Sequence, residues 1–107
     1  MKTDKELLEL AAKAAGCTIK WRDMKGGYER ALITPKLNGE WWNPIADDGD
    51  ALRLAVALRL LIDADYNDCV AAGCCQFDEV LEPVGNDRLA ATRRAIVRAA
   101  AAIGERL

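Results

Sequence analysis

Residues 40–58 read EWWNPIADDGDALRLAVAL: paired tryptophans, an Asn-Pro turn, a crowd of aspartates and an apolar helical pattern. The reading of this run decides the fold, because it is either a reactive cluster of acids or a joint between a strand and a helix. Asp47, Asp48 and Asp50 sit at the start of the helical pattern. An aspartate oxygen there accepts from the free N–H groups of the first turn, and negative charge is favoured at the positive end of the helix dipole. Carboxylates also bind divalent cations, but the calcium-loop spacing is absent and no glutamate closes such a loop. The run reads as a joint, with the three aspartates as a structural helix cap.

Trp41 and Trp42 are adjacent, so in a strand they face opposite sides. One is expected in the core beside the helix. The other is a candidate partner contact if its face is uncovered, since exposed aromatics anchor interfaces. The helix that follows, expected over 48–60, is apolar around most of its girth. Ala51, Leu54, Ala55 and Leu58 form one stripe, and Leu52 and Val56 a neighbouring one. Such a helix is expected to be covered on more than one side.

On the N-terminal side, Thr3 and Glu6 form a capping box for a helix over 4–15, ended by Gly16. CTIKWR, residues 17–22, alternates like a half-buried strand, MKGG turns, and YERALIT returns antiparallel until Pro35. KLNG is a second turn, and Glu40–Trp42 is expected to add a third short strand. On the C-terminal side, LLIDADY and CVAAGCCQF read as a hairpin joined by Asn67-Asp68, and DEVLEPVGND as a polar connection. Asn86 or Asp87 then caps a helix to about Gly104, with Leu89, Ile96, Ala100 and Ile103 expected to face the core. The class is α+β: one domain over residues 1–107, a mostly antiparallel sheet of four or five short strands, and three helices on its two faces as an α/β/α sandwich.

The totals narrow the chemistry. The chain has 107 residues, about half of them apolar, a formal charge of −2 and no histidine. A chain of this length supports a core without disulfides or metals, and the missing imidazole removes the usual neutral-pH base and the commonest metal ligand. The charged, amphipathic MKTDKELLEL lacks the apolar run of a secretory leader, and no stretch of about 18 apolar residues exists to span a bilayer. The bacterial cytoplasm is the expected compartment. Cys17, Cys69, Cys74 and Cys75 are then expected as reduced, buried thiols, since neither a Cys-x-x-Cys pair nor histidine accompanies them. No cofactor or metal is expected, and no catalytic residue is assigned.

Arg88, Arg93, Arg94 and Arg98 enrich the last helix in positive charge. A solvated or paired face is the simpler account. Contact of Arg93, Arg94 and Arg98 with phosphates is the alternative, although no helix-turn-helix pattern or interleaved aromatic platform accompanies them.

KELLELAAKAAG (Lys5–Gly16), WWNPIADDGDALRLAVAL (Trp41–Leu58) and AATRRAIVRAAAAIG (Ala90–Gly104) together resemble the phage ABA-sandwich domain, a family of small tailed-phage and prophage proteins. The strongest mark is the Trp-Asn-Pro-(Leu/Ile)-x-Asp-Asp-Gly-Asp-Ala-Leu-Arg-Leu-Ala-Val run, matched by Trp42 to Val56. The second is Ala-Thr-Arg-Arg-Ala-Ile-Val-Arg-Ala-Ala, matched by Ala91 to Ala100. The chain departs where the family commonly carries Lys-Leu-Gly and this sequence reads ALRLL, and again over 63–84. The resemblance implies a sheet between helix layers and expression inside an infected bacterium, and it carries no activity. The expected function is that of a non-enzymatic accessory protein that binds another protein, a host factor or its own copy as a homodimer. Interference with a host process, antiviral defence included, is the hypothesis that follows. Nucleic-acid binding is the alternative, and metal-assisted chemistry on Asp47, Asp48 and Asp50 a third.

Overall fold

The computed structural model describes residues 2–34, 41–74 and 79–107. The first helix, α1 (Asp4–Ala14), starts at the capping box: Thr3 Oγ1 accepts from Glu6 N, and the Glu6 carboxylate accepts from Thr3 N at 3.1 Å. It ends in a Schellman turn, with Cys17 N donating to Ala12 O and Gly16 N to Lys13 O around Gly16 at φ +75°. β1 (Thr18–Met24) and β2 (Tyr28–Thr34) follow as an antiparallel hairpin, register Thr18↔Thr34 to Met24↔Tyr28. Alternation then sorts the side chains. Ile19, Trp21, Ala31 and Ile33 lie on the face that packs on the core, while Thr18, Lys20, Arg22 and Arg30 lie on the other.

Trp41 forms a single bridge to Leu32. The expected third strand is thus one bridge at Trp41, with Glu40, Pro35 and the KLNG turn outside the described residues. α2 (Asp48–Leu58) is shorter than expected by about one turn's end. Arg59 ends it in the left-handed conformation, φ 55°, with Leu60 N donating to Ala55 O. β3 (Leu61–Asp63), β4 (Cys69–Gly73) and β5 (Val80–Pro83) form a second antiparallel sheet in that order. The β3–β4 hairpin lies where the sequence predicts one, but β3 is only three residues long and residues 64–68, not Asn67-Asp68 alone, connect the strands. β5 is not: residues 80–83 lie in what reads as a polar connection. As a four-residue edge strand it needs few apolar residues, and Pro83 at its end tolerates the missing donor. Cys75 lies outside the described residues.

α3 (Arg88–Glu105) is capped by Asp87, which accepts from Ala90 N. The fold is α+β, with its strands divided between two sheets and α3 placed between the second sheet and the helices α1 and α2. Ile96, Val97, Ala100 and Ala101 join the larger core with Leu7, Leu8, Ala11, Ile33, Trp42 and Leu54. Ala91, Ala95 and Ala99 form a smaller core with Val70 and Ala72. A helix with alanines on two sides lets a sheet approach on one and helices on the other. Closest of all is α1, where a Cβ added to Gly104 would lie 2.1 Å from Leu10 O. No side chain fits there.

Two expectations about burial fail for a common reason. Leu52 and Val56 are 62% and 69% exposed, and Leu89 is 63% exposed. α2 buries Ala51, Leu54 and Ala55, and its second apolar stripe faces outward, so this helix is covered on one side only. Ile96 and Ala100 are buried as expected, while Ile103 is only half-buried. Periodicity names the apolar stripes of a helix, but the neighbours that cover them come from the tertiary fold.

Candidate functional site

The aspartate cluster resolves into three different contacts. Asp47 is the N-cap of α2, its Oδ2 accepting from Asp50 N at 2.8 Å. Asp50 is almost fully buried, and its Oδ2 accepts from Asn43 N at 2.9 Å while Oδ1 accepts from Arg53 at 2.8 Å. Asp48 turns away to Arg93, whose Nη1 lies 2.6 Å from Oδ1 and whose Nε donates to Ile45 O at 2.8 Å. Asn43 closes its own turn, with Oδ1 accepting from Ile45 N and Ala46 N. The carboxylates of Asp47 and Asp50 both approach the Arg53 guanidinium, at 3.9 and 2.8 Å. A cation of the protein itself occupies their focus. Among the described residues, no group of three or more acids and thiols is arranged to hold a metal ion.

The tryptophans divide as their adjacency requires. Trp42 is buried in the core, 3% exposed, and Trp41 is half-buried on the opposite face of the hairpin under Arg30. The Arg30 guanidinium carbon lies 4.2 Å from the indole centroid, within cation–π range. Lys5 sits over Trp21 at 5.0 Å and pairs with Glu29 at 3.0 Å. All three indoles line a cleft of about 780 Å³ between α1, the hairpin and the start of α2. Its acids are matched by cations: Glu29 by Lys5, Asp4 by Arg94, and Asp47 and Asp50 by Arg53. The Nε1 atoms of Trp21 and Trp42 are buried there without hydrogen-bond partners.

The arginines of α3 are turned onto the protein. Arg93 holds the 45–48 segment as described. Arg94 pairs with Asp4 at 2.9 Å and approaches Glu82 at 3.6 Å, and Arg98 also pairs with Glu82, which is 13% exposed. Arg88 donates to the carbonyls of Ala64, Tyr66 and Asn67, closing the β3–β4 loop. These residues staple α3 to both ends of the molecule. Arg93, Arg94 and Arg98, the alternative phosphate contacts, thus each have a carboxylate partner in the fold.

Two surfaces escaped the sequence reading. On the second sheet, Leu61 and Leu81 share the face opposite α3, linked in register through Gly73 and Ala71, and are 75% and 54% exposed. Between them on the central strand, Ala71 and Gly73 are buried, so the exposed apolar surface lies at the two edges. On the hairpin, Lys20, Arg22 and Arg30 share the outer face with Tyr28 and Trp41. The alternation in CTIKWR and YERALIT names the outward residues; their register, which sets Arg22 directly against Arg30, was the missing step. Neither thiol with a shifted pKa favours nucleophilic chemistry. Burial pushes the Cys17 thiol up, and desolvation with the neighbouring Asp68 carboxylate does the same to Cys69.

No described helix is long and apolar enough to cross a membrane. Comparison with protein-family models, curated proteins and solved structures returns no match.

Proposed function

We propose that this chain is a non-enzymatic binding module, an accessory protein of the phage type that its sequence resembles, acting on a protein partner in the bacterial cytoplasm. The observation that carries the reading is the exposure of Leu61 and Leu81 on the two edge strands of the β3–β4–β5 sheet, on the side away from α3, with Ala71 and Gly73 buried between them. Leu52 and Val56 on α2 add further exposed apolar surface. A contiguous exposed apolar patch marks an interaction site, and these side chains are taken as parts of one. The absence of histidine and the engagement of Asp47, Asp48 and Asp50 in capping and ion pairs support a role without catalysis.

The test is paired affinity capture from host lysate with the wild type and a Leu61→Glu/Leu81→Glu variant, alongside sedimentation of each alone. The reading expects one reproducible protein partner, or a self-associated species, that the variant loses while its melting temperature is kept. A monomer whose captured proteins are the same with and without the substitutions contradicts it. Should the partner be a host factor, modulation of that factor's process is the expected phenotype.

A further inference from the structure

We infer that the outer face of the β1–β2 hairpin binds single-stranded nucleic acid, with Lys20, Arg22 and Arg30 on phosphates and Trp41 and Tyr28 against bases. The inference does not rest on the Leu61 and Leu81 surface, and either can fail without the other.

The argument begins with charge. Arg22 and Arg30 are direct cross-strand partners, and Lys20 lies two residues along the same face. Like charges opposite each other in a ladder are unfavourable. The two acids of the hairpin, Asp23 and Glu29, pair with each other in register and so lie on the other face, where Glu29 meets Lys5. Among the described residues, no carboxylate pairs with Lys20, Arg22 or Arg30, whereas Arg53, Arg93, Arg94 and Arg98 each have one. The chain carries a formal charge of −2, yet among the described residues this face holds no acid. Arg30 is compensated only by the Trp41 ring, and a local arrangement that costs stability without a carboxylate partner is what a ligand-binding face looks like.

The aromatics decide between polyanions. Tyr28 is 54% exposed, and Trp41 is bridged to Leu32 on the same face, with Arg30 stacked on its ring. Interleaved rings and guanidinium planes on an open sheet form a stacking platform for unpaired bases, which a duplex hides and an acidic peptide lacks. Arg30 and Trp41 also border the 780 Å³ cleft, so the face opens into a depression of small-ligand size. A base entering there meets indoles and carboxylates already neutralised by Lys5 and Arg53.

The probes are 12-nucleotide oligo-dT and oligo-U, a 12-base-pair duplex and poly-glutamate, each titrated against the full chain at low salt with tryptophan fluorescence as readout. Quenching by either single strand is expected, with log affinity falling against log salt at a slope of about −2 for three phosphate contacts. Tyr28→Ala should weaken binding about tenfold through lost stacking, and Arg22→Gln/Arg30→Gln should flatten the salt slope. All three positions are exposed, and unchanged melting curves identify variants that still fold. If Trp41 quenching is ambiguous, anisotropy of a labelled oligonucleotide gives the same constants. Absence of binding at low salt overturns the inference. So does poly-glutamate or duplex binding as tight as the single strands, which would assign the face to an acidic protein or to backbone charge alone.

Discussion

The arginines of α3 and those of the β1–β2 hairpin are the same residue type in opposite situations. Arg93, Arg94 and Arg98 meet Asp48, Asp4 and Glu82, and they hold the last helix to the α2 joint, to α1 and to β5. Arg22 and Arg30 face each other with no carboxylate beside them among the described residues. The helix has the denser run of positive charge in sequence, but the hairpin has the charge available to a partner. Availability depends on what lies opposite in space, and register and packing settle that.

The contrast can be broken most easily at Arg93, whose side chain is 17% exposed and engages both Ile45 O and Asp48. Arg93→Ala is expected to cost about 2 kcal/mol, because it removes a charge-assisted bond and leaves a carbonyl without its donor. For a chain of this size that lowers the melting temperature by roughly 10 °C, read by calorimetry. A loss below 2 °C would place Arg93 with the solvated arginines. Glu82→Ala should cost less, about 1 kcal/mol, since its partners Arg94 and Arg98 are 38% and 40% exposed and partly screened.

On the hairpin the sign reverses. Arg22→Thr removes a like-charge pair and installs a good strand former, so it is expected to stabilise by about 0.5 kcal/mol at low salt. That gain should shrink as salt screens the repulsion in wild type, and chemical denaturation at two ionic strengths reads it directly. Destabilisation by Arg22→Thr would mean that this guanidinium has an internal role.

The smallest effect isolates a purely local contact from both regions. Hydrogen bonds from the backbone N–H and the hydroxyl of Thr3 hold the Glu6 carboxyl below the usual glutamate range. A lowered folded-state pKa adds stability that is complete above the unfolded value and is lost as pH falls through the folded one. Glu6→Gln should therefore flatten the acid limb by lowering stability slightly at neutral pH, with the two curves converging as pH falls through the folded-state value. An acid limb identical to wild type would remove the capping box from the account.

What the sequence made legible was local. The Thr3–Glu6 box, the Asp47 cap, the strand alternation of 17–22 and the Asp87 cap all act within a few residues, and each lies where its pattern places it. The opposite sides taken by Trp41 and Trp42 follow from adjacency alone. What was hidden depends on neighbours distant in the chain. Nothing in DGDALRLAVAL states that Leu52 and Val56 go uncovered, because a second apolar stripe looks the same whether a neighbour arrives or not. β5 was missed because a four-residue edge strand with a glutamate turned in to Arg94 and Arg98 carries almost no alternating signal. The division into two sheets turns on α3, whose alanines present two packable sides where helical periodicity suggests one.

The measurement closest to the central contrast is the salt dependence of oligonucleotide binding in two charge-neutralised chains, Arg22→Gln/Arg30→Gln and Arg94→Gln/Arg98→Gln. With about 0.7 of slope lost per single-strand phosphate contact, the hairpin variant should lose about 1.4 and the helix variant essentially none. A helix variant that loses the slope while the hairpin variant keeps it would contradict the assignment of these charges to interior stapling and outward binding.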